Sequence, residues 1–238
     1  LELEAEMTYL LEGEPAFTMK ADLYFQPERW YELASSKQSI QVDGDLSEWA
    51  DFRFSTDQQV YVDADPFSHQ GAKDASFSFD IREDPNFLYV GARIRDDEVA
   101  VKDGTTPFNQ DGVAILLDAR PKQIAANSRL RSYSECLILL ASPTEAGEGD
   151  ANLWKREAMP KELMMKARRT AYGYTVEAAI PHALLDQFHG GTPWESLRLN
   201  LGIRDFDQNN AHESNLLWQP DWRDDESRVG SGMFRRKK

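Results

Sequence analysis

Carboxylates are the most abundant reactive groups in this chain, with 41 Asp and Glu against 27 Lys and Arg. Asp43-Gly44-Asp45, Asp63-Ala64-Asp65 and Asp96-Asp97-Glu98 each gather hard oxygen donors over a few residues, the donor type that calcium selects. None follows the EF-hand spacing, and Asp also favours turns, so turn chemistry accounts for each cluster taken alone as well as a metal does. Asp63 and Asp65 are taken as the candidate ligands of a structural Ca2+. Paired carboxylates also serve glycosidases. Among 41 acids, however, some pair is always available, and the pattern singles none out. His69, His182, His189 and His212 lack metal-ligand spacing, and no GxSxG elbow or phosphate-cradling glycine loop is present. Without a nucleophile–base set the residues point to binding, not to catalysis.

Aromatic side chains are the other chemical resource. Trp194, Trp218 and Trp222 fall late in the chain, and Phe108 stands just before Gln110-Asp111. A flat ring near a loop can stack on the apolar face of a sugar, while charged or amide neighbours fix the hydroxyls. Trp49 and Trp30 read instead as core or strand-end plugs.

Period-2 alternation supplies the elements that would hold these residues. Phe77, Phe79 and Ile81 form one row, and Leu88, Val90, Ala92 and Ile94 a second. Val113, Ile115 and Leu117 follow Asp111 on one face. Tyr174, Val176, Ala178 and Ile180 form a further row, as do Leu197, Leu199, Leu201 and Ile203, with Arg198, Asn200 and Arg204 on the opposite face. Asp84-Pro85-Asn86 and Ala171-Tyr172-Gly173 read as hairpin turns. Helix signals are few: one turn at Leu46-Ser47-Glu48-Trp49, and a short helix from Pro181, with the proline in its first turn. Many short strands with little helix predict an all-β, antiparallel β-sandwich of jelly-roll or immunoglobulin-like type. Residues 1–36 read as a strand-rich extension, possible as the end of a preceding domain, and 37–238 as the sandwich.

The formal net charge of −14 disfavours nucleic acid and anionic lipid as partners and suits cations and neutral sugars, although solubility alone also accounts for it. Cys136 is the single cysteine, so no internal disulfide forms, and its setting predicts a buried strand. No apolar run reaches the ~20 residues of a membrane helix, and the acidic start is the reverse of a signal peptide's basic region. The chain reads as a piece of a longer protein.

The order of the segments carries more than any one of them. Ile40-Gln41-Val42-Asp43-Gly44-Asp45-Leu46-Ser47-Glu48-Trp49 comes first, then Leu88-Tyr89-Val90-Gly91-Ala92-Arg93-Ile94-Arg95-Asp96-Asp97. Phe108-Asn109-Gln110-Asp111-Gly112-Val113-Ala114-Ile115-Leu116-Leu117-Asp118 follows, then Gly173-Tyr174-Thr175-Val176-Glu177-Ala178-Ala179-Ile180-Pro181 and Leu199-Asn200-Leu201-Gly202-Ile203-Arg204-Asp205. Over roughly residues 38–235 this succession resembles the family-9 carbohydrate-binding modules and their DOMON-like relatives. The resemblance implies a β-sandwich, often with bound calcium, that clamps a terminal sugar between two rings in a larger extracellular bacterial protein, attached for example to a glycoside hydrolase. It maps the rings to Phe108 and to Trp218, with Trp222 as a substitute, and the polar contacts to Asp111, Arg204 and Asp205. Ala114 stands where the family usually has an acid, and Phe108 where Trp or Tyr is common. Two alternatives follow from the same residues. One is a structural or protein-interaction sandwich that has lost the sugar site. The other is a haem-binding relative, for which Met164, Met165 and His189 form no ordered axial pair.

Overall fold

A computed structural model describes residues 2–9, 17–24, 29–36, 40–56, 61–64, 69–121, 136–207, 213–219 and 231–237, with only the backbone at 2–9, 17–24, 61–64 and 213. Strands are numbered in chain order. β1 (Glu2–Tyr9) and β2 (Phe17–Tyr24) pair with each other as a separate antiparallel sheet.

The first large sheet runs β12 (Asn152–Leu153), β10 (Leu137–Ser142), β9 (Gly112–Asp118), β15 (Ser196–Phe206), β16 (Glu213–Leu217), β6 (Tyr61–Ala64). β17 (Gly232–Arg235) also pairs with β15, and β3 (Trp30–Glu32) pairs with β17. The second runs β11 (Glu148–Asp150), β13 (Met164–Thr170), β14 (Gly173–Pro181), β8 (Phe87–Asp96), β7 (Ala75–Glu83), β4 (Ala34–Ser35), with β5 (Phe54–Ser55) also on β7. Pairing is antiparallel except at β3–β17 and β4–β7, which are parallel. The architecture is the expected sandwich, with these two parallel seams added.

The seams come from one segment that the sequence places in the N-terminal extension. β3 joins the first sheet, β4 the second, and Leu33 between them is buried in the shared core. Trp30, read as core or a strand-end plug, is 41% exposed, because it stands an odd number of positions from the buried Leu33 and so points the other way.

The apolar rows behave as their period requires. Phe77, Phe79 and Ile81 of β7, Leu88 to Ile94 of β8, Val113 to Leu117 of β9, Tyr174 to Ile180 of β14 and Leu197 to Ile203 of β15 all enter one core between the sheets. Both hairpins form: Asp84 N donates to Phe87 O at 3.0 Å, and β13 turns into β14 at Gly173, whose φ of 126° and closeness to Ile94 O leave no room for a side chain. The one described α-helix, α1 (His182–Phe188), begins after Pro181, which serves as its N-cap and still pairs with Phe87 in the sheet.

β14 is buried on both faces, where the alternation predicts one. A loop covers its outer side. Trp49 packs with Ile40, Leu46, Tyr89 and Ala179, and Gly91 gives its indole space that a Cβ would enter at 2.5 Å. Glu177, also on that outer face, holds the loop in place. Its carboxylate accepts from Trp49 Nε1 at 2.7 Å, Gly44 N at 2.7 Å and Asp43 N at 3.1 Å. Burial nevertheless holds this carboxyl above its ordinary value. Replacing Glu177 by Ala strands three donors, two of them backbone, and is expected to cost about 3 kcal/mol or more, read as the shift in urea unfolding midpoint at unchanged slope. Trp218→Ala is expected to cost about 3–5 kcal/mol in the same measurement, because the indole packs among Phe54, Phe79 and Phe234.

Candidate carbohydrate-binding face and the carboxylate chamber beneath it

Phe108, Asp111, Arg204 and Asp205 lie at one end of the first sheet, but on two sides of it. β9 and β15 pair with Gly112 opposite Arg204 and Ala114 opposite Gly202. Because alternate residues point opposite ways, Arg204 faces outward while Asp205, and Asp111 beside Gly112, face the interior.

The outer side is a platform. Gly112, Ala114 and Gly202 add little bulk to its floor, where the Leu217 side chain lies against Gly202, and Arg204 rises from it. The Arg204 guanidinium carbon lies 5.6 Å from the centre of the Phe108 ring and 5.6 Å from that of Phe206. Phe108 sits in a short 3-10 turn (Pro107–Asn109) and is 37% exposed, enough ring to offer a flat face. Its aromatic neighbour is Trp154, edge-on at 5.0 Å. Lys155 stands 4.1 Å above the Trp154 ring and holds the only left-handed backbone among described non-glycine residues.

The loop that carries Phe108 is fastened from below. Gln110 Oε1 accepts from Lys102 N at 2.7 Å, and Asn152 Nδ2 donates to Thr105 O at 2.8 Å. Asp111 clamps both ends: Oδ1 accepts from Phe206 N at 2.6 Å, Oδ2 accepts from Ala100 N, and its own N–H donates to Ala100 O at 3.1 Å.

The structure therefore corrects several assignments. Asp111 and Asp205 are 0% and 6% exposed and lie beneath the platform, so neither meets a ligand on the outer face. Trp218 is 5% exposed and far into the aromatic core with Tyr31 and Phe54, since it shares the inward parity of Leu216. Trp194 is buried too; its indole donates to His182 Nδ1 at 3.0 Å, which leaves His182 Nε2–H to donate to Asp84 O at 2.8 Å. Trp222, Asp65 and the side chain of Asp63 lie outside the described residues. The backbone does place Asp63 opposite Asn215, which is itself opposite Arg204, so all three share one cross-strand row. Trp154 and Phe206, which the sequence reading passed over, complete the platform; only the sheet register brings Trp154 to Phe108.

The inner side is a closed chamber of carboxylates. Asp96 ends β8, Asp205 nears the end of β15 and Asp111 precedes β9, all on the parity of the core rows. One oxygen from each lies within 4.8 Å of the others. Two ionised carboxylates at that separation repel by about 3.5 kcal/mol at an effective dielectric of ~20. Asp96 accepts from Glu98 N at 2.9 Å and Asp205 from Ser214 Oγ at 2.8 Å. These bonds do not offset the loss of water: burial first, then the neighbouring acids, push Asp205 up to about 7 and move Asp96 and Asp111 in the same direction. Tyr174, fully buried, adds a hydroxyl that has no hydrogen-bond partner among the described residues. Asp74, Asp97 and Asp207 form a second acidic triad, grading from buried to exposed. An all-oxygen donor set of this charge, at Asp96, Asp111 and Asp205, fits the calcium that the family resemblance implies.

Comparison with known proteins agrees with this architecture. Two solved structures of a family-9 carbohydrate-binding module from Caldicellulosiruptor kristjanssonii, one with cellotriose and one with glucose, each superpose with a TM-score of 0.57 at 18% identity. Each alignment covers 88% of this chain, and 94% and 96% of the respective module. At that identity the likeness is one of fold. No curated protein matches the chain in sequence. Residues 42–230 match the family described as carbohydrate family 9 binding domain-like, which takes in β5 to β16 with the platform and the chamber, and the chain belongs to that family.

Proposed function

We propose that the chain is a non-catalytic module that binds carbohydrate on the outer face of its first sheet, with the Phe108 ring as the stacking surface. The observation that carries this reading is the exposed Phe108 ring beside the Arg204 guanidinium, on the side of the sheet where Gly112, Ala114 and Gly202 add little bulk. A sugar laid on the ring buries its apolar C–H face, and Arg204 supplies hydrogen bonds to its hydroxyls. Trp154 takes the part of a second ring, in place of Trp218. The solved modules that hold cellotriose and glucose support β-glucan as the first ligand class to try. In the setting proposed, the module belongs to a longer extracellular bacterial protein and keeps an attached glycoside hydrolase on its polymer.

Ala114 favours a second reading, a structural or interaction sandwich without a sugar site, since its methyl group supplies no acceptor on the floor. Affinity electrophoresis through soluble polysaccharides and calorimetry with glucose and cellotriose separate the two. Retention is expected, and Phe108→Ala is expected to weaken binding at least ~10-fold, about 1.4 kcal/mol, while moving the unfolding midpoint by less than about 3 °C. Phe108→Trp, with more face, is expected to tighten binding severalfold. Absence of retention on every glycan, or equal retention of Phe108→Ala, leaves the second reading standing.

A further inference from the structure

We propose that the outer face of the second sheet, beside the β13–β14 turn, is a second ligand site that takes a carboxylated sugar, a uronic acid unit of a glycan, with its ring on Tyr172 and its carboxylate on Arg95 and Arg93. The sheet register builds it. Arg95 pairs with Gly173, which pairs with Thr170, and Arg93 pairs with Thr175 two positions along. Arg93, Arg95 and Thr175 share the outward parity, opposite to the buried Ile94. Gly173 bears no side chain, so the row has a gap between Arg95 and Thr170. The loop of residues 40–52 seals this face only as far as Thr175, whose Oγ1 donates to Gly44 O at 2.6 Å. Beyond it Arg93, Arg95, Thr170, Tyr172 and Thr175 line a groove of about 530 Å³. That lies within the ~300–1,000 Å³ of small-ligand sites.

Two observations point to an anion with a flat apolar side. The first is charge. In a chain of net charge −14, Arg93 and Arg95 are both exposed, and neither meets a carboxylate among the described residues. Asp97, next on the same face, gathers with Asp74 and Asp207 instead. The Arg93 guanidinium carbon lies 5.0 Å from the centre of the Phe52 ring, a contact that steadies the group and gives none of its donors an oxygen. Alternate strand positions stand about 6.8 Å apart, so both long side chains can reach one carboxylate. Charges beyond the ~8 Å screening length of physiological salt count for little against these two.

The second observation is Tyr172, which is 75% exposed. Its backbone is fixed: its N–H donates to Thr170 Oγ1 at 3.3 Å, and its carbonyl accepts from Asp96 N at 3.2 Å. An exposed ring on a fastened turn is a stacking surface. Thr170 Oγ1 keeps its own hydrogen for a ligand hydroxyl.

The same features discriminate among anions. A protein partner needs about 800 Å² on this side, with an apolar centre. The other exposed large apolar side chains described stand elsewhere, Trp30 and Phe108 with the first sheet and Met164 at the far end of β13, so Tyr172 is alone. A simple carboxylate leaves the ring unused, and a neutral sugar leaves Arg95 without a counter-charge. One ring, two guanidiniums and a hydroxyl around a small groove match a single sugar acid.

The test is an NMR titration of the isotope-labelled whole chain with trigalacturonate, with acetate, poly-glutamate and cellotriose as comparisons. Trigalacturonate is expected to shift the backbone amides of Arg93, Arg95, Thr170 and Tyr172. Arg95→Gln is expected to weaken this binding at least ~10-fold and Tyr172→Ala at least ~5-fold, while Tyr172→Phe, which keeps the ring, stays within about twofold. Acetate and poly-glutamate are expected to bind at least ~10-fold more weakly than trigalacturonate. The proposal fails if those amides do not move, or if the shifts are confined to Phe108 and Arg204, which belong to the platform. It fails equally if poly-glutamate matches trigalacturonate and Tyr172→Ala changes nothing, since the groove then takes an acidic peptide. The position of the shifted amides separates this site from the platform, so failure of cellotriose to bind at Phe108 leaves the result here untouched.

Discussion

The pleat of a β-strand sends alternate side chains to opposite faces, and between two packed sheets one of those faces has no water. Every inward position must then be filled by a group that tolerates dehydration or finds a partner for its charge. Along most of the sandwich the answer is aliphatic and aromatic: β7, β8, β9, β14 and β15 each contribute three or more buried side chains to one core. At one end the same parity continues into Asp96, Asp111 and Asp205. The chamber is thus no interruption of the core but its last layer, built on the same register with different chemistry.

The outer faces follow different rules. That of the second sheet is sealed by residues 40–52, with Trp49 laid on Gly91 and Glu177 as a three-pronged anchor. Among the described residues, that of the first sheet leaves Phe108 exposed beside Arg204. The asymmetry is why the proposed glucan face is the one with Phe108: among the described residues, its ring is exposed where the opposite sheet carries a packed loop.

Much of the fold was legible from period alone, because each row of Val, Ile, Leu and Phe settles which way its strand faces. The covered face of β14 was not, since burial of Glu177 and Ala179 depends on a loop more than a hundred residues earlier. Trp218 and Asp205 were misplaced for an avoidable reason: each shares the parity of an apolar neighbour, Leu216 and Ile203, and a strict reading turns both inward. Phe108 and Arg204 could be singled out because they lie in the segments that carry the family resemblance, and the structure sets them side by side. Trp154 was not, for nothing local in Asn152-Leu153-Trp154-Lys155 tells that β10 and β9 will carry it to the Phe108 loop.

The seam formed by residues 30–35 has a mechanical consequence. β3 and β17 lie side by side and run the same way, near opposite ends of the described chain, with Leu33 N bonded to Arg235 O and Met233 N to Arg29 O. Tension applied between those ends draws two parallel neighbours in opposite directions along their length. The ladder is then loaded in shear, and its bonds share the force instead of opening one after another. A module anchored at one end and pulled from the other meets the load first at its most resistant geometry.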